Sequence, residues 1–253
     1  MNDITVRRPV YWHSYSESNV GTVREINEDS VMSNPESGLW AVADGMGGYE
    51  AGNVASNMIA QTLQSVGKQK LLSDFVTSVE DKLLDVNQRI LEYAEIMLDG
   101  RTLGSTVVSL LIKGQVGICM WVGDSRLYLL RNNELIQLSR DHSRVEELLQ
   151  QGLITEEEAQ NHPDSNVITR AIGIGDELCV DVNVFNVQLG DVFLLCSDGL
   201  YNAVNEHEIM NQMGNGTAEQ GVSSLIATAL QNGASDNVSI IIVKGLREQS
   251  GSF

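Results

Sequence analysis

Cysteine is scarce and has no spacing suited to chemistry. The three present, Cys119, Cys179 and Cys196, each sit in an apolar stretch with no CxxC pair. An odd count without paired spacing does not describe a disulfide framework, and buried reduced thiols of a cytosolic protein are expected instead. Long apolar runs are also missing. The longest are about five residues, against the roughly 20 that a membrane-spanning helix needs. Arg7-Arg8 has the letters of a twin-arginine signal, but no apolar segment follows it, so a cytoplasmic location is expected. Positive charge is short: 16 Lys and Arg face 34 acids, for a net charge of −18. Such a surface repels nucleic acid and anionic membrane, because affinity for both rests on neutralising phosphates. It does not repel metal cations. Aromatics are only 5% of residues, which leaves Leu, Ile, Val and Ala to fill the core. Repeats, low-complexity tracts and Pro-rich linkers are absent as well.

What remains is a globular chain. Its 253 residues are 42% hydrophobic, enough for one large domain with a buried core, expected over 10–245 with short ends. Apolar or β-branched runs bounded by turn residues predict strands near 11–18, 29–33, 39–43, 106–113, 116–122, 126–131, 134–138, 178–187, 191–197 and 237–244. Lys113-Gly114-Gln115 and Asn132-Asn133 read as hairpin links. Helices are predicted over 51–66, 73–98 and 217–231, with another starting at Asn205-x-x-Glu208. In the second, Phe75, Val79, Leu83, Val86, Ile90 and Tyr93 make one apolar stripe. Thr217-x-x-Gln220 has the form of a capping box. Residues 140–176 are polar, include a short helix capped by Thr155-x-x-Glu158, and read as a surface insertion between strands. The expected class is α+β: two packed antiparallel β-sheets with helices outside on both sides.

Acids fall at the ends of these strands. Glu28-Asp29 stands where one begins and Asp44 where the next ends, so a hairpin of the two brings them together. Asp198 follows an apolar strand, Asp236 precedes one, and Asp124 follows the strand 116–122. Antiparallel neighbours set one strand's C-terminal end beside the next strand's N-terminal end, so one sheet edge gathers them. Close carboxylates repel, and persist together only when cations neutralise them or some are protonated. Oxygen-only ligands suit Mg²⁺ and Mn²⁺. Each acid alone also has an ordinary reading: Asp-Gly at 44–45 and 198–199 is a turn signal, as at Asp99-Gly100, and Asp124 suits a turn or a pair with Arg126.

The same residues lie in a longer pattern: Val-Gly-Thr-Val-Arg-Glu-Ile-Asn-Glu-Asp (20–29), Ala-Asp-Gly-Met-Gly-Gly (43–48), Leu-Gly-Ser-Thr (103–106), Val-Gly-Asp-Ser-Arg (122–126), Arg-Asp-His-Ser (140–143), Val-Ile-Thr-Arg-Ala-Ile-Gly (167–173), Cys-Ser-Asp-Gly-Leu (196–200) and Ser-Asp-Asn-Val-Ser (235–239). In this order they resemble the metal-dependent protein phosphatases of the PPM, or type 2C, family in their compact bacterial form. The resemblance implies two antiparallel sheets with helices outside, and hydrolysis of phosphoserine and phosphothreonine on proteins. It implies two Mn²⁺ or Mg²⁺ ions bridged by Asp44, with the Gly45 carbonyl, Asp198 and Asp236 as further ligands. It implies Glu28 and Asp29 holding waters of the metal shell, and a weaker third ion on Asp124 and Asp198. Arg24 would orient the phosphate through its guanidinium, Gly45, Gly47 and Gly48 let backbone approach the ions, and 140–176 matches the family's flap. The implied partners are phosphoproteins and a eukaryotic-type Ser/Thr kinase, with the chain a monomer.

One position departs from animal members of the family, which carry a histidine two residues after the bridging aspartate. Here it is Met46, which has no proton to give. His142, His162 or a water of the metal shell is then a candidate acid for the leaving group. His13 and His207 have no partners in the pattern, and His207-Glu208 is not a zinc HExxH, since position 211 is Asn211. Rival readings are a pseudophosphatase, which would have lost metal ligands, and a two-metal nuclease or phosphodiesterase, which the acidic charge opposes.

Overall fold

The computed structural model describes residues 10–47, 51–160 and 162–247. Arg7-Arg8 and Gly48 lie outside the described residues. The first strands are β1 (Val10–Asn19), β2 (Asp29–Asn34) and β3 (Leu39–Gly47), followed by helices α1 (Gly52–Gln64) and α2 (Leu72–Met97). Then come β4 (Leu103–Ser105), β5 (Val107–Lys113), β6 (Val116–Val122), β7 (Arg126–Arg131) and β8 (Glu134–Gln137). Two short helices, α3 (Arg144–Gln150) and α4 (Glu156–Gln160), precede β9 (Asp181–Asn186) and β10 (Val192–Cys196). The chain closes with α5 (Asp198–Tyr201), α6 (Glu206–Gly214), α7 (Ala218–Gln231) and β11 (Val238–Arg247).

The strands make two sheets, ordered β1-β11-β10-β7-β8 and β2-β3-β5-β6-β9, with β4 paired to β3. Every paired strand is antiparallel. Three apolar layers hold them, and the low aromatic content puts aliphatic side chains in most of each. Trp40, Val42, Leu110, Leu195, Phe193 and Ile241 fill the space between the sheets. The stripe Phe75, Val79, Leu83, Val86 and Ile90 seats α2 against α1 and the second sheet. Ile209, Val222, Leu225 and Ile226 seat α6 and α7 on the first. This is the expected helix–sheet–sheet–helix sandwich. Turn chemistry works as the sequence implies: Asn132 and Asn133 both take positive φ, 52° and 64°, as a two-residue hairpin with a matching twist requires. No helix among the described residues is long and apolar enough to cross a membrane.

Three short elements were not expected. α3 is capped by Ser143, whose Oγ accepts from the Glu146 N–H, a Ser-x-x-Glu signal inside the polar segment. α5 starts at Asp198 itself. β4 extends the ladder of β3 beyond Asp44 through Gly45↔Ser105, Met46↔Gly104 and Gly47↔Leu103. Three residues are too few for a hydrophobic pattern to register.

Candidate active site

The register of the β2–β3 hairpin sets Asp29 opposite Asp44. Asp44 is clamped on its other side by the Leu-Gly-Ser-Thr segment. Its carbonyl accepts from Thr106 N at 2.8 Å and Ser105 Oγ at 2.9 Å, and its N–H donates to Thr106 Oγ1 at 3.1 Å. The backbone is thus held above and below while the carboxylate stays free. The strand continues through Gly45, whose N–H donates to the Glu28 carbonyl. A Cβ on Gly45 would collide with the carbonyls of Gly52 and Glu28, so only glycine fits. Gly45→Ala is expected to cost about 1–3 kcal/mol through this overpacking, read as a lowered Tm in thermal denaturation.

Asn237 fastens the loop before β2. Its Oδ1 accepts from Glu28 N, and its Nδ2 donates to the carbonyls of Val20 and Ile26. Glu28 Oε1 accepts from Gly52 N at 2.8 Å. Asp236, next to Asn237, receives Arg24 Nη2 at 2.7 Å. Asp124 lies in a turn opened by Gly123 at φ 103°. Its carbonyl accepts from Tyr201 Oη, and the Tyr201 ring lies 3.6 Å beneath the Arg126 guanidinium. Arg126 is bound not to Asp124 but to both oxygens of Asp141, so the Asp124 carboxylate is not consumed by the nearest cation.

These elements surround a cavity of about 300 Å³, lined by Arg24, Glu28, Asp44, Gly45, Asp124, Asp198 and Asp236, together with Met46, Gly47, Thr106, Asn166, Ile168 and Asn237. Of the eight residues singled out from the sequence, Asp29 alone is not on its wall. Asp29 stands behind it: Oδ2 accepts from Ser197 Oγ at 2.7 Å, and Oδ1 is buried with no partner. Arg24 is the only Lys or Arg on the wall. The electrostatics follow. Burial, then the charges of Asp29, Asp198, Asp124 and Asp236, push the half-buried Asp44 carboxyl well above its ordinary range. Burial raises Asp29 and Asp124 to about 6 each. Burial and the nearby Asp124, Asp236 and Asp29 raise Asp198 to about 7. The folded chain thus crowds carboxyls that resist ionising together, with one arginine against them.

The histidines take no part in this wall. His142 is buried, accepts from Gly123 N through Nδ1 at 3.0 Å and faces Asp181 through Nε2 at 3.2 Å. Its ring stacks on Trp121. Both nitrogens are thus engaged away from the cavity, and His142 supports the Asp124 turn from behind. His162 bonds the Asp164 N–H. Met46 does line the cavity, and it supplies no proton.

A family model described as protein phosphatase 2C matches residues 22–232, most of the chain and every residue lining this cavity except Asp236 and Asn237. The chain belongs to the protein phosphatase 2C family. Phosphatases of this family are metal-dependent hydrolases, and this one carries the family's fold. It is 38% identical over 248 residues to a serine/threonine phosphatase stp of Listeria welshimeri, covering 94% of this chain and 98% of that protein. Among solved structures it is similar to PppA, a regulatory component of T6SS in Pseudomonas aeruginosa, at 39% identity and a TM-score of 0.86, covering 95% and 100% of the two chains. It is also similar to the catalytic domain of PstP in complex with two manganese ions, at 32% identity and a TM-score of 0.82, covering 94% and 99%.

Sequence reasoning missed the residues that hold this phosphatase's acids in place. Thr106, Ser105 and Ser197 act through backbone and hydroxyl bonds that leave no periodic signal. Asn237 stands in the Ser-Asp-Asn-Val-Ser segment, which assigns it no role of its own. The Arg126–Asp141–Tyr201 support joins three distant segments, so its separate motifs gave no sign of being one unit.

Proposed function

We propose that the cavity is a two-metal centre that hydrolyses phosphoserine and phosphothreonine on proteins. The observation carrying this reading is the convergence of Asp44, Asp198, Asp236 and Asp124 beside a single arginine. An oxygen-only donor set with this much uncompensated charge fits hard divalent cations. The strand position Gly45, where only glycine fits, and the orphaned Asp29 Oδ1 fit them too. Asp44, the Gly45 carbonyl, Asp198 and Asp236 would hold two Mn²⁺ or Mg²⁺ ions, with Glu28 and Asp29 ordering water around them. When bound, two such ions acidify water and neutralise the charge of a transferring phosphoryl group.

Arg24 orients the phosphate. Its guanidinium now rests on Asp236 and leaves it when substrate offers a better bidentate partner. Arg24→Ala is expected to raise KM and lower kcat by misorienting the ester, while Mn²⁺ affinity stays equal or tightens. Calorimetry showing Mn²⁺ binding lost would make Arg24 a structural residue instead.

Asp124 and Asp198 take a third, weaker ion. The support is that Asp124 is the largest charge acting on Asp198, and that Arg126 is spent on Asp141. Such an ion's acidic water would stand in for the proton donor that Met46 lacks. Asp124→Ala is expected to cut phosphopeptide turnover sharply and aryl phosphate turnover less, because good leaving groups need little protonation. Equal losses on both would leave Asp124 as a turn residue.

The flap at 140–176 selects among phosphoprotein substrates, and a Ser/Thr kinase supplies them. The test is hydrolysis of a phosphothreonine peptide with Mn²⁺, beside an aryl phosphate and a phosphodiester. Turnover of the two monoesters alone supports the reading. No turnover of either would leave a pseudophosphatase, and diester cleavage a nuclease.

A further inference from the structure

Beside the reaction cavity lies a second, larger cleft of about 700 Å³, and Asp124, Asn166 and Asp198 line both. It runs between α3 and the segment from Tyr201 to Glu206. Resting on the phosphatase reading above, we propose that this cleft seats the substrate's chain next to the phosphorylated residue and selects a lysine or arginine there. Volume is the first support. A phosphoryl group needs little space, whereas about 700 Å³ lies in the range of sites that enclose several side-chain-sized groups. The shared wall is the second, since a phosphoprotein held by its phosphate in one cavity has a continuous path into the other.

Charge supplies the class of residue. Apolar groups, Val145 and Leu149 of α3 with Val204 opposite, give the cleft a surface for the aliphatic stem of a long side chain. Its one cation, Arg126, is bound to Asp141 at 2.7 Å and stacked on Tyr201, so it has no charge to offer an acidic segment. Glu206, the first residue of α6, is exposed on the cleft wall and has no ion-pair partner among the described residues. Glu146 adds a second carboxylate, partly shared with Arg140 at 3.5 Å. Ions at the reaction centre would neutralise Asp124 and Asp198 but not these two. A net charge of −18 steers basic segments inward and repels acidic ones, including a second copy of this chain.

The experiment uses the Mn²⁺-loaded enzyme and phosphothreonine peptides that differ by Lys, Ala or Glu at one position, scanned over four residues on either side. The expected result is a position where Lys raises kcat/KM over Ala by about two- to fivefold, the scale of one exposed ion pair, and where Glu lowers it. Glu206→Gln should flatten that preference and Glu206→Lys should reverse it, with aryl phosphate turnover unchanged in both. A flat scan in the wild type, or a preference that survives in Glu206→Lys, would overturn the proposal while leaving the phosphatase reading intact. Absence of turnover on every peptide and on the aryl phosphate would instead sink both.

Discussion

Asp44→Asn is expected to lose on the order of 10³-fold or more in kcat while the protein stays folded. Asparagine keeps the size of the side chain and one carbonyl oxygen, so the clamp from Thr106 and Ser105, which acts on the Asp44 backbone, is untouched. What disappears is the charge and the second oxygen, both of which Asp44 would need to hold two cations. Stability should move the other way. In the chelated protein the Asp44 carboxyl is crowded by burial and by Asp29, Asp198, Asp124 and Asp236, and removing it relieves that repulsion. The chelated variant should therefore melt no lower than the chelated wild type, by differential scanning calorimetry. A near-wild-type rate would show that the centre lies elsewhere, and a lowered Tm would make Asp44 a structural residue.

Removing metal should abolish turnover and return it with Mn²⁺ more readily than with Ca²⁺, whose longer bonds and weaker hold on water suit the chemistry less. The same step should expose the cost of the acid cluster. Asp29 and Asp124 are raised from 3.8 to about 6, and Asp198 from 3.8 to about 7. Raised carboxyls keep protons in the folded chain that the unfolded chain has already released. Their contribution is intact below about pH 4 and is lost as pH rises through 6 and 7. The chelated protein should therefore melt at a falling temperature between roughly pH 4 and pH 7. With saturating Mn²⁺ that decline should flatten or reverse, because a cation now favours the ionised acids. A pH profile unchanged by Mn²⁺ would mean that the ion does not reach these carboxylates.

How much of this was legible beforehand depended on the range of the interactions. The α2 stripe from Phe75 to Ile90 and the Asn132-Asn133 hairpin rest on local periods and turn preferences, so sequence alone located them. The sandwich followed from the order of strands and helices. The acids were legible as a group because each stands near the end of an apolar run that forms a strand, and antiparallel pairing converts that into proximity. The β2–β3 register of Asp29 against Asp44 is that argument made concrete. Illegible were contacts whose partners are far apart in the chain and carry no pattern. Asn237 to Glu28 and Ser197 to Asp29 depend on how the two sheets face each other. His142 was a candidate acid because it stands in a motif, and only the fold shows that Gly123 and Asp181 occupy its nitrogens. The cleft between α3 and α6 was equally out of reach, since α3 itself was missed.

Anomalous diffraction at the manganese edge, from crystals of the wild-type chain grown with Mn²⁺, tests the central claim most directly. The account predicts two strong peaks in the cavity, both within bonding distance of Asp44, with Asp198, Asp236 and the Gly45 carbonyl completing their protein ligands. A cavity without anomalous density, or manganese bound only at other acids of the surface, would contradict it.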